Sequence, residues 1–391
     1  MAVVFGALAA CSDGGSSATT TDAPASTAPA TPDSTVAADT TVAATDTTEL
    51  PATTAAPATT EAAPDAAGVW ETVAAPADCM CSDGSGFSWF VRRDGDPTKV
   101  VFFLEGGGAC FSADTCAPGS ETFKRTVGYD GGFPDGEPSG IFDFSNPMNP
   151  FADYSFVFVP YCTGDVHIGN EAHDYGNGVV VQHKGFVNGS TALTAMAELF
   201  PDATELVVTG ESAGSVPTPL YAGMAHDLLP DARITVLADG SGAYPDIPAI
   251  NAVIGDAWGT MAAVPEWPEN VGVMPETWSF PGLFVKAGAH DPAITFARHD
   301  YAFDQTQSFF AGLAGIPADN LVALIDQNEV EVEAGGVDLF SYITPGSSHT
   351  VLHRPEFYTE TVNGTRLVDW VTSLVAGDPV ADVHCTECTT T

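Results

Sequence analysis

Short apolar, β-branched runs broken by Gly or Pro recur from residue 99 onward and predict buried strands at residues 99–104, 155–160, 205–209, 233–237, 283–287, 321–326 and 339–344. These runs are apolar throughout rather than alternating, the pattern of strands covered on both faces. Helical patterns fall between them, at residues 191–200, 216–229, 294–313 and 366–375, the third being the longest. Alternating strands and helices predict an α/β fold: a mostly parallel sheet with helices on both faces. Gly/Pro/Asp-rich stretches at 128–150 and 239–279 read as loops over one end of that sheet, where a substrate pocket is commonly shaped.

The pattern begins only near Val69. Residues 12–67 are almost wholly Ala, Thr, Ser, Pro, Asp and Gly. They lack the large apolar side chains that offset the entropy of ordering, and they read as a disordered linker. At ~5–6 Å times the square root of its length, such a tract gives a spacing on the order of 40 Å. Residues 1–11 are apolar and end Leu8-Ala9-Ala10-Cys11, the form of a secretory leader closing on a lipobox with lipidation at Cys11. No Lys or Arg precedes the apolar run, so the leader reads as starting upstream of Met1. The folded domain is expected over 68–391, with a cysteine-containing C-terminal tail.

The net charge of −40, from 51 acidic and 11 basic residues, removes the basic footprint that nucleic-acid binding needs. No later stretch is long and apolar enough to span a membrane, so membrane association is expected only through a lipid at Cys11. Export makes disulfides the default for the eight cysteines. Cys110 and Cys116 are expected to pair across a short polar loop. Cys79-x-Cys81 and Cys385-x-x-Cys388 are expected to staple the two ends of the domain, a four-cysteine zinc site being the alternative. With Cys11 lipidated, one cysteine remains unpaired.

Within this frame, Gly210-Glu211-Ser212-Ala213-Gly214 follows the apolar run Leu206-Val207-Val208-Thr209 and precedes a helical pattern. A serine in G-x-S-x-G between strand and helix is the nucleophile elbow of serine hydrolases. The nucleophile needs a base, an acid and an oxyanion hole, with acid and base following in that order. His349, in a Gly/Ser loop just past the 339–344 run, is the best-placed base, and His353 is the alternative. Asp291 and Asp304 both qualify as the acid, the residues alone slightly favouring Asp291. Glu105-Gly106-Gly107-Gly108-Ala109-Cys110 follows a strand and supplies backbone free of side chains. Gly107 and Gly108, with Ala213, would donate to an oxyanion. No cofactor or metal is called for.

Leu104–Cys110, Tyr161-Cys162-Thr163-Gly164-Asp165, the elbow, and Leu237-Ala238-Asp239-Gly240-Ser241-Gly242 occur in an order that resembles the pectin acetylesterase/Notum family of carboxylesterases. The resemblance covers roughly residues 69–375. It implies an α/β-hydrolase-like fold and a Ser-Asp-His triad that removes acyl groups from carbohydrate or protein. The segment Tyr301-Ala302-Phe303-Asp304-Gln305-Thr306-Gln307 resembles the family's acid segment, so the resemblance moves the choice from Asp291 to Asp304. It also makes Asp239 a structural aspartate. The chain departs from the family in lacking a Trp at Gly108 or Ala109, in carrying Ser215 for a second glycine, and in its smaller cysteine set. The implied protein is an extracytoplasmic serine esterase, lipid-anchored or secreted. Its substrate is expected to be an acyl ester, acetyl above all, with acetylated carbohydrate as one candidate carrier. An acyltransferase or lipase-like hydrolase with the same triad is the alternative, and a catalytically dead surface binding protein is another.

Overall fold

Apolar residues on both sides of a strand require cover on both faces, and the sheet meets that need by sending successive side chains to two separate cores. The computed structural model describes residues 70–128, 138–386 and 388–390. The expected leader, the lipidation site Cys11 and the 12–67 linker lie outside the described residues. The main sheet contains β1 (Glu71–Ala74), β2 (Ser88–Arg92), β3 (Asp96–Leu104) and β4 (Tyr154–Val159). A hairpin of β5 (Glu171–Asp174) and β6 (Val180–His183) stands apart from it. The sheet continues with β7 (Glu205–Glu211), β8 (Arg233–Asp239), β9 (Thr295–Tyr301) and β10 (Leu339–Thr344). A two-residue pair, β11 (Thr361–Val362) and β12 (Thr365–Arg366), precedes the last strand, β13 (Val383–His384). The nine strands are ordered β1-β2-β4-β3-β7-β8-β9-β10-β13. Pairing is antiparallel at β1–β2 and β2–β4 and parallel from β4 onward.

One face of the strands carries Val100, Phe102, Leu104, Val208 and Val236 into a core shared with Leu193, Tyr221 and Phe284. These three belong to α1 (Gly185–Leu199), α2 (Thr218–Leu228) and α4 (Phe280–His290). Between α2 and α4 runs α3 (Pro248–Trp258). The other face carries Val101, Phe103, Phe158 and Leu237 against Trp370, Val371 and Leu374 of α7 (Leu367–Ala376). The expected sheet with helices on both faces is therefore the observed one.

Three elements differ from expectation. The run at 283–287 lies inside α4, whose N-cap Ser279 accepts from Gly282 N–H at 3.1 Å, with Pro281 in the first turn. The run at 321–326 opens α6 (Leu321–Ala334), capped by the side chain of Asn320. A short apolar run fits a buried helix as well as a strand, and in both places a polar cap decides. Residues 294–313 form two elements instead of one helix. They are β9 and then α5 (Gln305–Leu313), divided at Asp304, which caps α5. The Gly/Pro-rich 239–279 stretch holds α3 and three short 3-10 turns.

The disulfides are Cys81–Cys162, Cys110–Cys116 and Cys385–Cys388, and Cys79 is the free cysteine among the described residues. The expected staple between the chain ends is not formed. Sheet order sets β1 and β13 at opposite edges, and Cys81 instead joins Cys162 while Cys385 joins Cys388. With Cys81, Cys385 and Cys388 oxidised, a four-cysteine zinc site is also ruled out.

Candidate active site

The carboxyl ends of the parallel strands converge on one locality, the usual place for a ligand in an open α/β sheet. Ser212 follows β7 and adopts φ 52°, left-handed backbone that a non-glycine residue rarely takes. The tightness of the turn is visible at Gly214, where a Cβ would stand 2.1 Å from the carbonyl oxygen of Leu104. Only glycine fits there.

Asp304 and His349 come from the adjacent strand ends of β9 and β10. His349 Nδ1 lies 2.6 Å from Asp304 Oδ2. Asp304 is fully buried. Its Oδ1 accepts from the N–H groups of Thr306 at 2.8 Å and Gln307 at 2.9 Å, and its Oδ2 also accepts from Gln307 Nε2 at 3.1 Å. These three hydrogen bonds fix the direction in which the carboxylate faces His349. Burial alone would lower the His349 pKa. The hydrogen bond and charge of Asp304, with the charges of Asp239 and Glu211, outweigh it and hold the imidazole above its ordinary value. Nε2 of His349 is buried and has no hydrogen-bond partner among the described residues.

The loop carrying His349 is fastened from below by Asp239, the last residue of β8. Asp239 Oδ2 accepts from Val351 N–H at 2.7 Å and Leu352 N–H at 2.9 Å, while Oδ1 faces His299 Nδ1 at 2.8 Å. The structural part expected of Asp239 is thus an anchoring one. Asp291 stands elsewhere: it ends α4 and pairs with His226 at 3.2 Å. The ordinary topology that favoured it assumed a strand at 283–287, and that segment is a helix. His353 does not share the Asp304 carboxylate. Its Nδ1 lies 3.3 Å from Glu211 Oε1 and its ring packs 4.4 Å from Phe142.

Gly107 and Gly108 leave β3 in a turn pinned by Lys124 N–H to Gly107 O at 2.9 Å and Ala109 N–H to Thr122 O at 3.0 Å. Gly108 has φ 78°, and a Cβ there would meet Thr122 O at 2.0 Å. Side-chain-free backbone therefore passes beside the elbow, as the sequence suggests. Ala213 follows Ser212 in a single 3-10 turn.

Ser212, Ala213 and Gly108 border a cavity of about 90 Å³ whose walls include Val166, Ile254, Trp258, Trp278 and Phe310. Ile254, Trp258 and Trp278 belong to the 239–279 stretch, which shapes the pocket as expected. Gly240 also lines the cavity and approaches His349: a Cβ on it would lie 3.3 Å from His349 Cε1. Sequence reasoning did not single out Gln307, the amide behind Asp304. Its only signal is a Gln three residues after Asp304, within the segment quoted for the family.

Comparison with known proteins matches residues 67–256 to the pectinacetylesterase family. Palmitoleoyl-protein carboxylesterase notum2 of Xenopus laevis is 26% identical over 144 residues, which are 34% of this chain and 27% of that protein. The chain thus spans under a third of the length of that relative. The inactive palmitoleoyl-protein carboxylesterase notum1b of Danio rerio is 30% identical over 109 residues, 28% of this chain and 76% of that protein. Pectin acetylesterase 5 of Arabidopsis thaliana is 25% identical over 191 residues, 46% of this chain and 42% of that protein. The solved structure of the Wnt deacylase Notum from Drosophila superposes with TM-score 0.59 at 17% identity, covering 80% of this chain and 95% of that one.

Proposed function

The chain belongs to the pectin acetylesterase/Notum family of carboxylesterases, and from that premise we propose that it is a serine esterase acting through Ser212, His349 and Asp304. Membership alone does not carry activity, because one matched relative is described as inactive. The observation that carries the reading is the 2.6 Å bond from His349 Nδ1 to a fully buried Asp304, with Nε2 left unpaired and the ring next to Gly240, a wall residue of the cavity that reaches Ser212.

His349 Nε2 takes the Ser212 proton as Oγ attacks the ester carbonyl. The N–H groups of Gly107, Gly108 and Ala213 hold the oxyanion of the tetrahedral intermediate. Asp304 fixes the imidazole tautomer and stabilises the imidazolium. The protonated His349 returns its proton to the departing alcohol, and water then cleaves the acyl-enzyme by the same route. The apolar cavity beside Ser212 receives the acyl chain, so the preferred acyl group is larger than acetyl. The alcohol, carbohydrate included, lies outside that cavity. The three disulfides support an extracytoplasmic setting, with lipid at Cys11 and the 12–67 tract as the tether.

Ser212→Ala tests this directly. Hydrolysis of p-nitrophenyl esters and labelling by a fluorophosphonate are both expected to vanish, with the melting temperature unchanged. Activity that survives in the folded variant overturns the assignment.

A further inference from the structure

We propose that His167 is a positioning residue for the oxyanion hole, acting through the main chain of Glu105. The inference rests on the esterase reading above. His167 is 1% exposed, and its Nε2 lies 2.9 Å from the carbonyl oxygen of Glu105, the residue that opens the Gly106-Gly107-Gly108 turn. A carbonyl oxygen only accepts, so the ring must present an N–H there. Burial pushes the imidazole pKa down to about 4, which keeps the ring neutral with its one proton on Nε2.

The segment that carries His167 is built at some conformational cost. Val166 and His167 adopt φ 47° and 57°, consecutive left-handed positions without a glycine, one of them β-branched. Strain of this kind persists only where surrounding contacts over-determine it. Here Val166 N–H donates to Tyr161 Oη at 2.9 Å, His167 N–H to Asp165 Oδ1 at 3.2 Å, and Tyr221 Oη–H to His167 O at 2.8 Å. The product of these contacts is an imidazole aimed at one backbone carbonyl.

Two other bonds from the same segment hold the glycine turn at its ends. Tyr161 N–H donates to Glu105 Oε2 at 2.8 Å, and Cys110 N–H donates to Gly164 O at 2.9 Å. Neither sets the plane of the Glu105–Gly106 peptide. His167 does, at a point where Glu105 O also faces the elbow: a Cβ on Gly214 would stand 2.7 Å from it. Three successive glycines have no side chains to hold their orientation, and an oxyanion hole works only if its donors are already aimed. A rigid donor on the carbonyl that enters the turn supplies that aim.

His167→Phe keeps the ring volume and removes the donor. His167→Gln restores an N–H near the Nε2 position. For p-nitrophenyl ester hydrolysis, His167→Phe is expected to lower kcat about tenfold or more with KM changed less than about twofold, a smaller loss than deleting a direct oxyanion donor. Affinity for a boronic acid that mimics the tetrahedral adduct should fall in step with kcat/KM, and His167→Gln should recover most of both. Wild-type kcat in His167→Phe, or equal impairment of the two variants, overturns the proposal. If His167→Phe does not fold, Tyr221→Phe loosens the same residue through its carbonyl. It is expected to show the same kcat-selective loss at about threefold, and unchanged boronate affinity there overturns the proposal too. Failure of the esterase reading would appear separately, as activity surviving Ser212→Ala.

Discussion

Asp304 and His349 are joined by a 2.6 Å hydrogen bond between residues that follow neighbouring parallel strands, β9 and β10. Asp304→Asn should leave the geometry nearly intact while presenting an amide to Nδ1, which forces the wrong imidazole tautomer. The expected loss in kcat is on the order of 10⁴-fold. Asp291→Asn, which touches the His226 pair and the Ala293 N–H, should stay within about twofold of wild type. Steady-state kinetics on one activated ester compares the two. A crippling effect confined to Asp291→Asn would transfer the acid to that residue.

The pH profile should carry the signature of the same pair. Catalysis needs neutral His349, whose folded-state pKa is held above the ordinary histidine value. The acidic limb of kcat/KM is therefore expected above about pH 6.5, the unperturbed value. Because the folded pKa is raised, the pair's stabilising contribution is full below the unfolded value and is lost as pH rises through the folded one. The urea midpoint of wild type relative to His349→Gln should narrow over that window. A limb below pH 6 would contradict the assignment of His349 as base.

Asp239 offers a test of loop anchoring that is independent of proton transfer. Asp239→Ala strands two buried N–H groups, of Val351 and Leu352, and leaves His299 Nδ1 without its carboxylate. A destabilisation of about 3 kcal/mol is expected by urea unfolding. The loosened His349 loop should also lower kcat about 100-fold, by misplacing a catalytic group. Asp239→Asn, which keeps an acceptor, should fall between Asp239→Ala and wild type on both measurements.

Acyl-chain preference should follow the cavity. Each methylene moved from water into an apolar wall contributes ~0.8 kcal/mol, roughly fourfold in kcat/KM. Butyrate esters, two methylenes longer, should therefore exceed acetate esters by about fifteenfold. Ile254→Trp, which fills space in the cavity that Ser212 borders, should cancel that advantage and leave acetate hydrolysis within about threefold. A preference for acetate in the wild-type protein would remove the acyl role of the cavity.

The sheet's central strands were legible because burial on both faces leaves continuous apolar runs such as Val100–Leu104 and Leu206–Thr209. The run at Leu283–Ala287 looked the same yet coils, since its capping serine lies four residues upstream of the apolar stretch. Within 294–313, the break at Asp304 was hidden because the residue doing the capping is also the one facing His349. The elbow and the glycine turn were legible as local patterns. The hold of Asp239 on Val351 and Leu352 joins residues more than a hundred positions apart, and no local pattern encodes it. Disulfide partners other than Cys110–Cys116 were equally illegible, because they depend on which strands end side by side.

Pairing of Thr344 with Tyr301 fixes how far apart the turns that carry Asp304 and His349 begin. Pairing of Leu104 with Gly210 does the same for the glycine turn and the elbow. The relative placement of Ser212, Asp304 and His349 is thus written in the register of the central sheet, a quantity that cannot drift by less than a whole residue. The segments that wall the cavity carry no such constraint. Substrate preference can therefore diverge within this architecture by changing wall residues alone, while the chemistry stays locked to the ladder beneath.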